Sequence, residues 1–154
     1  MNLIMDHLLH SCSAFLACVG FALILNLHGK GIAIAAGGGA LGWFVYSCLG
    51  GDLLGAFWAA MAIGTYSEMM ARLARCPATG YLLVALLPLV PGGGVYYSMS
   101  YCVSGQRDLF FQTLLTTFGM AATLAVGAML ASSLFRTIFP RFPHLPRMPR
   151  FPRH

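Results

Sequence analysis

Apolar residues come in long unbroken blocks along this chain. Five stand out: about Leu8 to Leu27, Gly31 to Leu49, Leu53 to Ala71, Ala78 to Val103 and Leu109 to Ile138. Each matches or exceeds the roughly 20 apolar residues that a helix needs to cross a bilayer core. The breaks between them are short and polar or Gly-rich: His28-Gly29-Lys30, Gly50-Gly51-Asp52, Arg72 to Pro77, and Ser104 to Asp108. Connections this short join antiparallel neighbours in one bundle. The pattern predicts an all-α integral membrane protein over residues 1–139, a bundle of about five transmembrane helices. A basic, Pro-rich cytoplasmic tail follows over residues 140–154, and no internal repeat is visible.

Charge adds a direction. Five spans put the termini on opposite sides. One side then holds Lys30, Arg72, Arg75, Arg136, Arg141, Arg147, Arg150 and Arg153; the other holds Arg107 with Asp6, Asp52 and Asp108. The positive-inside rule assigns the basic side to the cytoplasm, so the N-terminus is expected outside and the C-terminus inside. Trp43, Tyr46, Trp58, Tyr101, Phe110 and Phe111 fall toward the outer helix ends, as interfacial rings do. In the tail, prolines alternate with arginines and phenylalanines, which favours an extended form lying against anionic lipid.

Composition removes the soluble alternatives. The chain is 58% hydrophobic and 8% charged, with mean hydropathy +0.77. A soluble domain needs about a quarter charged residues to cover itself. The net charge of +5 is concentrated in the tail and does not point to nucleic acid. Cys12, Cys18, Cys48, Cys76 and Cys102 are odd in number and form no CxxC pair, so a disulfide framework is not expected. The N-terminus carries Asp6, His7 and His10 and no Lys or Arg before the first block, which is read as a retained helix rather than a cleaved leader.

Within the blocks, few residues could carry chemistry. Glu68 is the carboxylate expected inside the membrane, near the cytoplasmic end of the third helix. It extends a four-residue rhythm of small residues, Ala56, Ala60 and Gly64. Intramembrane ionisable groups are costly and face the bundle. Arg72 follows four residues on, at the spacing of a helical ion pair. A proton or substrate role for Glu68 and Arg72 is compatible with that pairing. The fourth helix contains Pro88-Leu89-Val90-Pro91-Gly92-Gly93-Gly94-Val95-Tyr96-Tyr97. Pro91 lacks a backbone donor and the glycines add backbone freedom, so this helix is expected to break at Pro91–Gly94. Broken backbone is tolerated only where protein buries it or a wet cavity meets it. The amides of Gly92, Gly93 and Gly94 suit a substrate carboxylate, with Tyr96, Tyr97 and Ser98 flanking.

Asn26 at the end of the first helix and Thr113, Thr116 and Thr117 on the fifth are candidates for a polar path. Gly119, Thr123, Gly127 and Ala131 form a small-residue packing face on the fifth helix. Gly37 to Gly42 satisfies GxGxxG but lies inside an apolar run, so helix packing is expected rather than a dinucleotide site. His7, His10 and Cys12 match no strong metal spacing. No cofactor, metal site or catalytic constellation is expected, and an enzyme is not.

The segments Ser67-Glu68-Met69-Met70-Ala71-Arg72, Pro77-Ala78-Thr79 and Pro88 to Tyr97 resemble the threonine/serine exporter family, in particular its short ThrE-like membrane half. Gly20-Phe21-Ala22 through Asn26 is also similar to that family's opening. The resemblance covers about residues 10–138, outside the tail. It implies a proton-driven secondary exporter of threonine and serine in a bacterial inner membrane. It also implies a hetero-oligomer, because the family's second, longer half is missing from this chain. Carried over, Glu68, Arg72 and Pro91 to Tyr97 are the positions of interest. A dicarboxylate exporter subunit and a non-transporting membrane partner are the alternatives.

Overall fold

A computed structural model of the chain describes residues 2–27, 29–74 and 77–138, with side chains from residue 9 onward. The tail, His28, Arg75, Cys76 and the side chains of Asp6 and His7 lie outside the described residues. These hold six α-helices, one 3-10 turn and no strand: α1 (Asn2–Ile24), α2 (Lys30–Cys48), α3 (Leu53–Ala74), α4 (Ala78–Leu86), the turn Leu87–Leu89, α5 (Gly92–Val103) and α6 (Arg107–Ile138). By length and apolarity, α2 and α6 can each cross a membrane. The bent pair α4–α5 is a third crossing if it counts as one span.

Three helix ends show why the blocks stop where they do. Leu27 N–H donates to Ala22 O (2.9 Å) and Asn26 N–H to Leu23 O (3.0 Å), with Asn26 at φ 60°. This is a Schellman stop, which satisfies carbonyls that the last turn leaves open. Gly50 at φ 86° ends α2 and Gly105 at φ 72° ends α5 in the same way. Only glycine, and next Asn, enters that left-handed region cheaply.

The core is built on α2, whose glycines receive three other helices. A Cβ on Gly39 would collide with Cys18 of α1, and one on Gly42 with Ile63 of α3. A Cβ on Gly38 would lie 3.1 Å from both Tyr66 of α3 and Ala85 of α4. Thus the GxGxxG run is a packing hub, as its context suggested. Tyr66 Oη donates to the Ile34 carbonyl at 3.1 Å, and the Cys18 thiol to Val84 O at 3.4 Å. Cys12, Cys18, Cys48 and Cys102 are free thiols, and Cys18 alone of these four is buried.

Helix α3 packs on α6 in a parallel sense. Contacts run in step along both: Gly119 lies near Leu53, Gly127 against Phe57 and Ala60, and Gly64 against Ala131. Helix α4 likewise runs parallel to α2, with Tyr81 near Gly31, Ala85 near Gly38 and Leu89 near Gly42. Neighbours in sequence are antiparallel, but these pairs are not, so α4 and α5 together carry the chain from one end of the bundle to the other.

The break in that crossing lies one step before its expected place. Val90 is extended (φ −62°, ψ 126°), as a residue before proline prefers, and Pro91 caps α5. Gly92, Gly93 and Gly94 are the first turn of α5, helical and without positive φ. The bend is 48°. Backbone freedom therefore does not explain these glycines. At Gly94 packing does: an added Cβ would strike the Thr117 side chain of α6.

Candidate functional site

The small-residue stripes on α3 and α6 determine what meets at their ends. Ala56 and Ala60 are fully buried, and Gly64 faces Ala131. A Cβ on Gly127 would lie 2.8 Å from the Phe57 carbonyl and 2.9 Å from the Ala60 Cβ. Such close approach is how membrane helices gain dispersion contacts when lipid removes the hydrophobic drive between them. One turn beyond Gly64, the α3 stripe reaches Glu68. One turn beyond Ala131, the α6 stripe reaches Phe135 and Arg136.

There the polar groups converge. Arg136 Nε lies 3.5 Å from Glu68 Oε1. The carboxylate side is buried (10% exposed) and the arginine side is open (57%). The Arg72 guanidinium sits over the Phe135 ring, 4.7 Å from its centre, a cation–π arrangement. One guanidinium therefore meets the carboxylate and a second lies on the neighbouring ring. Ser67, next to Glu68 in sequence, is buried, and its hydroxyl has no hydrogen-bond partner among the described residues.

Sequence reasoning counted Arg136 as a topology arginine and missed it as the partner of Glu68. The signal was present. Both stripes were legible, and extending each by one turn in parallel register brings Glu68 against Arg136.

The second group of candidates lies elsewhere. At the break, Pro88 is the middle residue of the 3-10 turn and Gly92 N–H donates to Val90 O at 2.7 Å. Among the described residues no side chain caps α5. Gly92 and Gly93 are exposed, with nothing within 4 Å of an added Cβ. Tyr96 and Tyr97 stack edge to face, 5.5 Å between ring centres, and point away from the bundle at 71% and 57% exposure. Ser98 is buried and donates to Val95 O at 2.8 Å. Thr117 faces Gly94 and donates to Thr113 O at 2.6 Å; Thr116 donates to Gln112 O at 2.8 Å.

Gly94 is level with Thr117, and Arg136 lies nineteen residues further along α6. At 1.5 Å per residue that is about 28 Å. One small amino acid does not touch both Glu68 and the Gly92–Gly94 amides. Asn26 is not drawn to either place; it is exposed and serves as the stop of α1.

A family model described as threonine/serine exporter, ThrE, matches residues 10–134. The chain belongs to the threonine/serine exporter family. Its match takes in α2 to α5 whole, the Glu68 site on α3 and the break before α5; Arg136 falls two residues beyond it. No curated protein matches the chain, and no solved structure does. The family is one of transporters rather than enzymes, and its membership together with the apolar helices makes this a multi-pass membrane protein.

Proposed function

We propose that this chain is the membrane subunit of a proton-coupled exporter of threonine and serine, completed by a second, longer membrane protein of the same family. The observation that carries the proposal is Glu68, a carboxylate buried between packed membrane helices and held by Arg136, in a chain of this exporter family. A group so placed is expensive to keep charged, and its protonation is the natural coupling step. Arg136 holds the deprotonated form; releasing it requires a proton or a competing cation.

Five crossings are supported by the parallel packing of α3 on α6, which calls for a full crossing by α4–α5. The eight-to-one division of basic residues supports an outer N-terminus and a cytoplasmic C-terminus in a bacterial inner membrane. The basic tail then lies on the cytoplasmic surface.

A partner is supported by the break itself. Val90, Gly92 and Gly93 are exposed on the outside of this bundle; the Gly92 amide is taken by Val90 O, but lipid would offer no acceptor to the amides that follow it in the first turn of α5. A second protein covering α5 removes that cost. Its junction with Gly92, Gly93, Gly94, Tyr96 and Tyr97 would form the inner lining of the path, with the α5 N-terminus available to the substrate carboxylate.

The test is efflux of preloaded labelled threonine and serine from cells carrying this chain, the longer half, or both. Efflux only with both is the expected result. An assembled pair that exports neither amino acid would overturn the assignment.

A further inference from the structure

We infer that the cleft between α4 and the last turns of α6 is a cytoplasmic loading site, in which Arg136 takes the α-carboxylate of the amino acid and Glu68 its ammonium. The inference rests on the exporter assignment and adds to it the site where substrate first engages this chain. The cleft has a volume of about 480 Å³ and is lined by Leu82, Met129, Ser132, Ser133, Arg136 and Thr137. That volume is within the range of small-molecule sites, roughly 300–1,000 Å³. Its polar groups come from one stretch of α6, and Arg136 connects it directly to Glu68.

Charge and geometry select a zwitterion. Arg136 meets Glu68 through Nε in a single 3.5 Å contact, and its side chain is more than half exposed. A guanidinium has five donors in a fork suited to a carboxylate. Most of that fork is not engaged by Glu68. A substrate carboxylate can therefore bind Arg136 face-on, while the substrate ammonium meets the Glu68 carboxylate, and the ion pair is exchanged rather than abandoned. A purely anionic ligand would meet Arg136 but be repelled by Glu68.

Hydroxyls complete the fit. Thr137 Oγ1 donates to Ser133 O at 2.9 Å, so its remaining lone pairs are oriented for an incoming donor. With Ser132 and Ser133 it offers a hydroxyl-rich wall to the side chain of threonine or serine. Loading in this way moves Glu68 from its arginine to the substrate ammonium, which keeps the carboxylate charged while substrate is bound. Proton uptake at Glu68 then competes with substrate for the same carboxylate.

The experiment is calorimetric titration of the full chain, assembled with its longer partner in nanodiscs of zwitterionic lipid, with L-threonine, threoninol and 3-hydroxybutyrate. Threonine should bind at least tenfold more tightly than threoninol, which lacks the carboxylate, and than 3-hydroxybutyrate, which lacks the ammonium. Arg136→Gln should weaken threonine at least tenfold and Arg136→Lys less. Ser133→Phe, a change at an exposed position that fills the cleft without touching the ion pair, should weaken it comparably even if the arginine variants fold poorly. Threonine binding within twofold of wild type in Ser133→Phe or in folded Arg136→Gln would overturn the loading site, while wild-type efflux would leave the exporter assignment standing. Arg136-dependent retention of anionic phospholipid, with threonine indifferent to Ser133→Phe, would reassign the cleft to lipid and overturn it too. A wild-type pair that neither binds nor exports threonine would overturn both.

Discussion

The C-terminal ends of α3 and α6 and the broken crossing α4–α5 solve the same problem differently. Both place polar groups in an apolar layer. At the C-terminal ends, one chain supplies everything: Glu68, its partner Arg136, and Arg72 on Phe135, aligned by stripes of small residues packed in register. At the break, the described residues leave polar groups uncovered. Gly94 is fixed by Thr117, but Gly92, Gly93, Tyr96 and Tyr97 are exposed, with open space where a Cβ on Gly92 or Gly93 would go. Polar groups that are complete in one subunit suit a switch, and groups left open suit a seam between subunits.

The contrast is broken most severely at Gly127. A Leu there would push into the Phe57 carbonyl and the Ala60 methyl. Gly127→Leu should cost about 3 kcal/mol or more, since overpacking against backbone has little room to relax. The check is thermal unfolding in detergent, with a lowered midpoint and loss of the assembled protein. Glu68→Gln removes the charge but keeps the shape. It should abolish the dependence of efflux on the proton gradient while shifting stability by no more than about 1 kcal/mol, because the arginine side of the pair is exposed. Gradient-dependent efflux at the wild-type level would exclude Glu68 from coupling.

Gly93→Ala sharpens the other half. No described residue opposes the methyl, and Ala is the better helix former by about 1 kcal/mol. The isolated chain should be as stable as wild type or slightly more so, yet co-purification with the longer half should fall. The smallest effect is expected at Asn26. As a left-handed helix stop it should accept glycine, with a stability change of a few tenths of a kcal/mol at about the level seen between good capping residues. Asn26→Gly should leave efflux intact, whereas a substrate-binding side chain would be missed at once.

Much of this was legible in the sequence. Apolar blocks set the helices nearly to their ends, because the stops are local: Asn26, Gly50 and Gly105 each take the left-handed conformation that ends a helix. The break near Pro91 was also local, since a proline constrains itself and the residue before it. The pairing of Glu68 with Arg136 is not local. It depends on α3 and α6 lying parallel, which follows from the whole topology, and a count of basic residues had already given Arg136 another use. The glycines after Pro91 were misleading for a related reason. Flexibility is what Gly suggests in isolation, but here one glycine makes room for Thr117 and two lie open on the surface. The outward aim of Tyr96 and Tyr97 likewise depended on α5 packing on α6 at the edge of the bundle.

The open seam is tested most directly by a photo-crosslinking phenylalanine analogue at Tyr97, in cells that make both halves. Irradiation should join this chain to the longer half, and the same analogue at Leu16, an exposed position on α1, should not. An assembled, exporting pair in which Tyr97 yields no adduct with the longer half would contradict the account, because the broken crossing would then be covered by something else.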